Sequence, residues 1–341
     1  MHNLIVGDLN TEGETIMKKI KMITTGGTIA MGEDEVTHQI VPKLSGLDLL
    51  NKVPTLESMA QLELTQFSNV DSSQLTLQDI LSLAQLIKSS LKDDEVSGVL
   101  ITHGTDTLEE TAYLLDLIID TPKPIVLTGA LRTFDQPSSD GESNLIHSLQ
   151  AILEPASSNR GVLVVMNNQI HAARFLNKTH TNRLEAFSSL NCGPMGKIDY
   201  SGVHYFYELK PQTTIKIESL TTPIEIIKLG LGSSDNLIKT ILDSKCQGLV
   251  IETFGLGTVP KNVMDPLKET KIPVMITSRC LEGQVYDLYG AFAGDREITK
   301  MNLIYGKNLT SVKARLLLTL LLGKNKSITE IREFINHKLK F

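Results

Sequence analysis

From about residue 17 onward, short apolar runs rich in β-branched residues alternate with amphipathic stretches. Short apolar runs bounded by turn residues read as buried strands, and apolar positions recurring every three to four residues read as helices. Strands are predicted at 20–23, 61–67, 98–102, 124–127 and 161–166. Leu77, Ile80, Leu81, Ala84, Ile87 and Leu91 fall on one face, which predicts a helix over 76–91. Two further helices are predicted at 107–119, opened by a capping box from Thr107 to Glu110, and at 140–153, with Ser139 and Glu142 as the start signal. Such alternation implies an α/β fold with a mainly parallel sheet flanked by helices. Regularity is lost between about 200 and 223, and a linker is placed at 209–223. A smaller α/β set follows, with strands at 224–228, 248–251 and 272–276 and helices near 234–243, 310–322 and 327–338. The predicted organisation is a poorly ordered extension over 1–16, a larger domain over 17–208 and a smaller domain over 224–341.

Composition narrows the classes. The chain of 341 residues is 41% hydrophobic and 21% charged, ordinary values for a soluble globular protein of about two domains. Its net charge is −6 and it has no basic block, which argues against a nucleic-acid partner. Lys18, Lys19 and Lys21 are read as a solvated strand entry. No apolar run is long enough to span a membrane, and the polar, acidic first sixteen residues lack the pattern of a signal peptide. Met17 offers a second candidate start of translation. Three separated cysteines, Cys192, Cys246 and Cys280, fit reduced thiols in a cytoplasmic protein. Eight histidines show no ligand spacing, so no metal is expected.

The candidate chemistry lies where strands end. The run at 20–23 stops at Thr24-Thr25-Gly26-Gly27-Thr28, and unusual polar residues follow the later strands too: Ser72, Thr105 with Asp106, Arg132 to Asp140, and the stretch containing His171, Arg174 and Lys178. Ligand sites of open parallel sheets gather at the carboxyl ends of the strands, so these loops are expected to converge. A threonine hydroxyl becomes a useful nucleophile only when a neighbour takes its proton. Asp106 and Lys178 are an acid and an amine that can pair beside Thr105, and backbone amides near Gly27 and Thr105 can face an oxyanion. Each residue also has a plain structural reading: Asp106 as a helix cap, Ser72 as a turn serine, Lys178 as a surface lysine. Residue types alone do not choose between Thr25 and Thr28. A phosphate loop is excluded because no GK[ST] follows the glycines and no helix start is expected there. Gly255-x-Gly257 lacks the third glycine of a dinucleotide fingerprint, since position 260 is proline.

Thr25-Gly26-Gly27-Thr28-Ile29-Ala30 and Thr102-His103-Gly104-Thr105-Asp106-Thr107 resemble the two signature motifs of the bacterial-type asparaginase/glutaminase family. Further matches are the run at 124–130, Ser139-Asp140-Gly141-x-x-Asn144, the run at 164–167, Thr277-Ser278-Arg279, and Leu309-Thr310-x-x-Lys313-Ala314-Arg315. The resemblance extends over about 17–322. It implies an asparaginase that hydrolyses the small-molecule substrate L-asparagine to aspartate and ammonia with no metal or organic cofactor. By the family pattern Thr28 is the nucleophile, and Thr105, Lys178 and Asp106 form a second triad. Ser72, Thr105, Asp106 and Gly27 line the substrate, with Ser72 on its α-carboxylate and Asp106 on its α-ammonium. The family also implies a homodimer or homotetramer with sites shared between subunits. The pattern is broken in one place: many members carry a tyrosine in the loop after the first motif, and residues 37–42 here read Thr-His-Gln-Ile-Val-Pro. The region 282–290 offers Tyr286, Asp287 and Tyr289, and Tyr289 or Tyr286 is expected to supply the missing hydroxyl to a neighbour's site. Three other readings are weighed. A broad glutaminase-asparaginase is the first. An archaeal-type tRNA-dependent amidotransferase subunit is the second, although such chains carry an additional domain before the first motif and about two dozen residues precede Thr25 here. A non-catalytic amino-acid-binding protein is the third, expected to lack Thr28 or the Lys178–Asp106 pair.

Overall fold

The computed structural model describes residues 7–9, 15–217, 219–286 and 302–339. Asp287, Tyr289 and most of the extension at 1–16 lie outside the described residues. The chain divides into two compact units, Met1–Pro211 and Gln212–Phe341.

In the first unit a short antiparallel ladder of β1 (Gly7–Leu9) and β2 (Thr15–Met17) precedes β3 (Lys19–Gly26), which is buried after its first residue. The hairpin of β4 (Met31–Glu33) and β5 (Ile40–Pro42) follows, then α1 (Gly46–Lys52) and α2 (Thr55–Met59). Next come β6 (Gln61–Val70), α3 (Leu77–Ser90), β7 (Val96–Thr102), α4 (Leu108–Ile118), β8 (Ile125–Thr128), α5 (Gly141–Leu153) and β9 (Val162–Met166). The unit closes with β10 (Gln169–Ala172), β11 (Leu176–Lys178), β12 (Phe187–Ser189), β13 (Gly196–Asp199) and β14 (Gly202–Tyr205). Its main sheet has the order β14-β13-β10-β9-β8-β7-β3-β6. Strands β6, β3, β7, β8 and β9 run parallel, whereas β10, β13 and β14 continue as an antiparallel tail. Ile20, Met22, Leu100 and Val126 share a core with Leu49 of α1 and Leu145 of α5. Burying such side chains stabilises by about 1.5–3 kcal/mol each.

Lys19 and Lys21, at the start of β3, are not a solvated entry. Lys21 is buried, and its Nζ donates to Glu63 Oε1 at 2.6 Å. Lys19 donates to Asp93 at 2.9 Å. The cause is register: Lys21 stands opposite Glu63 in the β3–β6 ladder, so a buried ammonium finds its counter-charge directly across the strands.

Helix starts show how local and distant partners compete. A capping box forms at α3 between Thr76 and Asp79. The box expected at Thr107 does not form, because the Thr107 hydroxyl donates to the Ser72 carbonyl at 2.9 Å. At α5 the residue before the helix is Asp140 rather than Ser139, and its carboxylate does not cap the helix either.

The second unit is a four-stranded parallel sheet, β15 (Ile224–Lys228), β16 (Gly248–Thr253), β17 (Val274–Ser278) and β18 (Leu303–Tyr305) in that order. Its helices are α6 (Asn236–Leu242), α7 (Lys261–Leu267), α8 (Ser311–Gly323) and α9 (Ile328–Glu333), the last opened by the expected Ser327–Glu330 box. Part of the stretch expected as linker is tied down within this unit: Thr213 Oγ1 donates to Lys338 O and Ser219 Oγ to Gly323 O, both at 2.7 Å.

Candidate active site

Strand β3 ends on Gly26 and Gly27, whose φ values of 105° and 81° are open to glycine and strained for other residues. A Cβ on Gly27 would lie 2.2 Å from Gly104 Cα, and one on Gly104 would lie 2.7 Å from Ser72 Cβ. A Cβ on Gly129 would lie 2.5 Å from His103 O. The loops after β3, β6, β7 and β8 therefore meet backbone to backbone, and the absence of side chains is what lets them do so.

This packing separates the two threonines. Thr25 is buried, and its Oγ1 donates to Thr102 O at 3.0 Å, so its hydroxyl serves as a strut between strands. Thr28 is partly exposed and opens a single 3₁₀ turn, Thr28–Ala30, where the sequence pattern predicts no helix start. Ser72 is buried in the turn Ser72–Gln74. Besides the Thr107 hydroxyl on its carbonyl, it accepts the Thr107 N–H on its Oγ at 3.4 Å.

Lys178 arrives on β11, held opposite Phe187 of β12. Its Nζ donates to Thr105 Oγ1 at 3.0 Å and to Asp106 Oδ1 at 2.6 Å. The Asp106 carboxylate is 61% exposed and the Lys178 side chain 16% exposed. Asp106 is thus the counter-charge of an amine and not the cap of α4. The two candidates that precede Lys178 in the chain have structural roles. Arg174 pairs with Asp116 at 3.6 Å and donates to Lys210 O, while the buried His171 meets Ser189 Oγ at 2.8 Å.

His103 carries no signal of its own in the sequence, yet it is buried two positions before Thr105. Its Nδ1 is 2.7 Å from Gly104 O, and a carbonyl only accepts, so Nδ1 carries the proton. That leaves Nε2 to accept from Thr111 Oγ1 at 3.0 Å. Burial pushes the imidazole pKa down to about 4, and His171 is pushed down to about 4 for the same reason.

No tyrosine occupies the hairpin after Thr28. His38 sits there with φ 54° and its Nδ1 2.7 Å from Glu33 Oε1, and Val36 is exposed at the tip. Tyr113 is buried within α4. Tyr200, Tyr205 and Tyr207 belong to the β13–β14 edge, five and six strands from β3. In the second unit the Tyr286 N–H donates to Leu256 O at 2.8 Å and its side chain is exposed beside Gln284. Among the described residues no group of three or more His, Cys, Asp or Glu side chains could hold a metal ion, and no helix is long and apolar enough to cross a membrane.

Two family models cover most of the sequence: "Asparaginase, N-terminal" matches residues 19–211, and "Glutaminase/Asparaginase C-terminal domain" matches residues 223–335. The chain belongs to the asparaginase family. It is 32% identical over 312 residues to an L-asparaginase of Bacillus licheniformis, covering 91% of this chain and 97% of that protein. It is 33% identical over 334 residues to a glutamyl-tRNA(Gln) amidotransferase subunit of Methanobrevibacter smithii, covering 94% of this chain and 76% of that protein. Among solved structures it superposes on a probable cytoplasmic L-asparaginase from Campylobacter jejuni with a TM-score of 0.84 and 31% identity, covering 95% of this chain and all of that one. The α/β architecture expected from the alternating pattern is that of this asparaginase relative.

Proposed function

We propose that this asparaginase-family chain hydrolyses the side-chain amide of L-asparagine to L-aspartate and ammonia through an ester on Thr28. The observation that carries the reading is the Thr105–Lys178–Asp106 bridge at the end of β7, with Thr25 engaged elsewhere and Thr28 left available. Thr28 Oγ1 attacks the amide carbonyl, the tetrahedral oxyanion is met by backbone amides near Gly27 and Thr105, and ammonia leaves. Thr105 Oγ1 already accepts from Lys178, so its own proton is free to be donated to the departing nitrogen. The proton that Thr28 gives up on attack refills the Thr105–Lys178 relay, so the C–N bond breaks to neutral ammonia as the ester forms. Water then opens the ester by the reverse relay, releasing aspartate. Ser72 holds the substrate α-carboxylate and Asp106 its α-ammonium. The chemistry read here needs no metal or organic cofactor. The working form is a cytoplasmic homodimer or homotetramer, in which Tyr289 or Tyr286 of a second copy supplies the hydroxyl absent from residues 37–42.

Similarity to an amidotransferase subunit keeps one competing reading in view, in which free asparagine is not the substrate. Ammonia release from free asparagine and from free glutamine, by wild type and by Thr28→Ala, separates the cases. Rapid release from asparagine that is abolished in Thr28→Ala supports the proposal. Absence of release from either free amide removes it, and full activity in Thr28→Ala removes the nucleophile assignment. Near-normal turnover in the Tyr286→Phe/Tyr289→Phe double variant removes the tyrosine assignment alone.

A further inference from the structure

Asp140 stands at the residue before α5, where a carboxylate ordinarily caps the helix. Here it turns away from the helix. Its Oδ1 and Oδ2 accept the Leu131 N–H at 3.1 and 3.0 Å, and Oδ1 also accepts the Arg132 N–H at 3.0 Å. Asn144, one turn along and fully buried, donates from Nδ2 to Asp140 Oδ2 and to Gly129 O, both at 3.0 Å. Its Oδ1 accepts the Asn167 N–H at 3.0 Å. Two side chains thus hold the backbone turn from Gly129 to Arg132 from below, and hold the start of the β9–β10 turn as well.

The turn meets the Thr105 loop, and the start of α5 that holds it meets the Thr28 turn. A Cβ built on Gly129 would lie 3.4 Å from Thr105 Cγ2, and one on Gly141, next to Asp140, would lie 3.3 Å from Ile29 Cγ1, beside Thr28. The turn and its holders therefore lie against the Thr105 loop at one end and the Thr28 turn at the other. We propose that Asp140 and Asn144 are positioning residues that fix the Gly129–Arg132 turn as one wall of the site and so set its discrimination between asparagine and the longer glutamine. This rests on the amide-hydrolase reading above. A wall held by charge-assisted and buried hydrogen bonds yields little, and one extra methylene then has to displace it.

The test compares kcat/KM for asparagine and for glutamine in the full chain carrying Asp140→Asn or Asn144→Ala, with Ser143→Ala, an exposed neighbour on the same helix, as control. Partial unfolding lowers both substrates' values by one factor and leaves their ratio untouched, so the ratio reads the wall and not stability. The asparagine-to-glutamine ratio is expected to fall by about tenfold or more in either variant and to stay unchanged in Ser143→Ala. If Asp140→Asn does not fold, Asn144→Ala decides, because it keeps the carboxylate and its backbone donors. An active wild type with both variants within about twofold of its ratio overturns the wall assignment alone. A wild type inert towards both amides overturns the proposed function and this assignment with it.

Discussion

Replacing Lys178 by methionine removes one ammonium and keeps the bulk of the side chain, and the structure assigns very different sizes to its two effects. The bond to Asp106 is lost, but that carboxylate is 61% exposed and water takes over its solvation. Pairs of this kind contribute about 0.2–1 kcal/mol. For a unit of this size that corresponds to a drop in Tm of at most about 4 °C. The bond to Thr105 is different, since without it the proposed relay loses its proton carrier. A positioned acid–base group contributes about 10²–10⁴ in rate, and at 1.36 kcal/mol per decade this is about 3–5 kcal/mol of barrier. Lys178→Met should therefore fold almost as well as wild type and release ammonia from asparagine at about a hundredth of the rate or less. Thermal melts by circular dichroism and initial rates of ammonia release on the same preparation check both numbers. A kcat within about threefold of wild type would refute the relay. So would a Tm loss above about 10 °C with activity falling only in proportion to unfolded protein, since Lys178 would then be structural.

The two threonines of the first motif should behave as opposites. Thr25→Val leaves the Thr102 carbonyl without its buried donor and should destabilise by about 1–3 kcal/mol in urea unfolding with kcat little changed, whereas Thr28→Val should keep stability and lose activity. Gly27→Ala places a methyl 2.2 Å from a backbone atom at φ 81°, so a loss of about 2–5 kcal/mol is expected, and an unchanged unfolding midpoint would contradict the packing described. His103 and His171 have folded pKa values near 4, below the unfolded value of 6.5, so between those limits the unfolded chain binds the extra protons. Stability should be fully present above pH 6.5 and fall as pH drops towards 4, by up to about 3 kcal/mol per histidine. His171→Gln should remove a share of that slope in urea titrations run across the window.

What could be read from the chain follows the range of the forces involved. Strand β3 and helix α3 are visible as apolar periods because their burial depends on neighbours a few positions away. Helices α1 and α2, of seven and five residues, are too short to display a period, and the three- and four-residue strands from β10 to β14 are no easier. The loops that carry the candidate site are legible because strand ends and glycines are local signals. Residue types alone do not separate Thr25 from Thr28, since the strut role of Thr25 depends on a carbonyl 77 positions away. The Thr107 box fails for a related reason: a local cap competes with a distant carbonyl, and the distant partner wins. Lys21 looks solvated because nothing near it in sequence reveals Glu63 across the ladder.

The end of β3 also has a kinetic meaning. The Thr25 carbonyl accepts from Ser68, 43 positions away, and the Thr25 hydroxyl donates to a carbonyl 77 positions away, so the turn bearing Thr28 has no fixed geometry until β6 and β7 have both docked on β3. Contacts of such separation form late, because their loops must close before they are rewarded. On the proposed function, a refolding chain recovers its helical signal first and ammonia release last. Amide hydrolysis on that reading requires the first unit to be complete and a second copy to be docked, so activity reports the assembled protein.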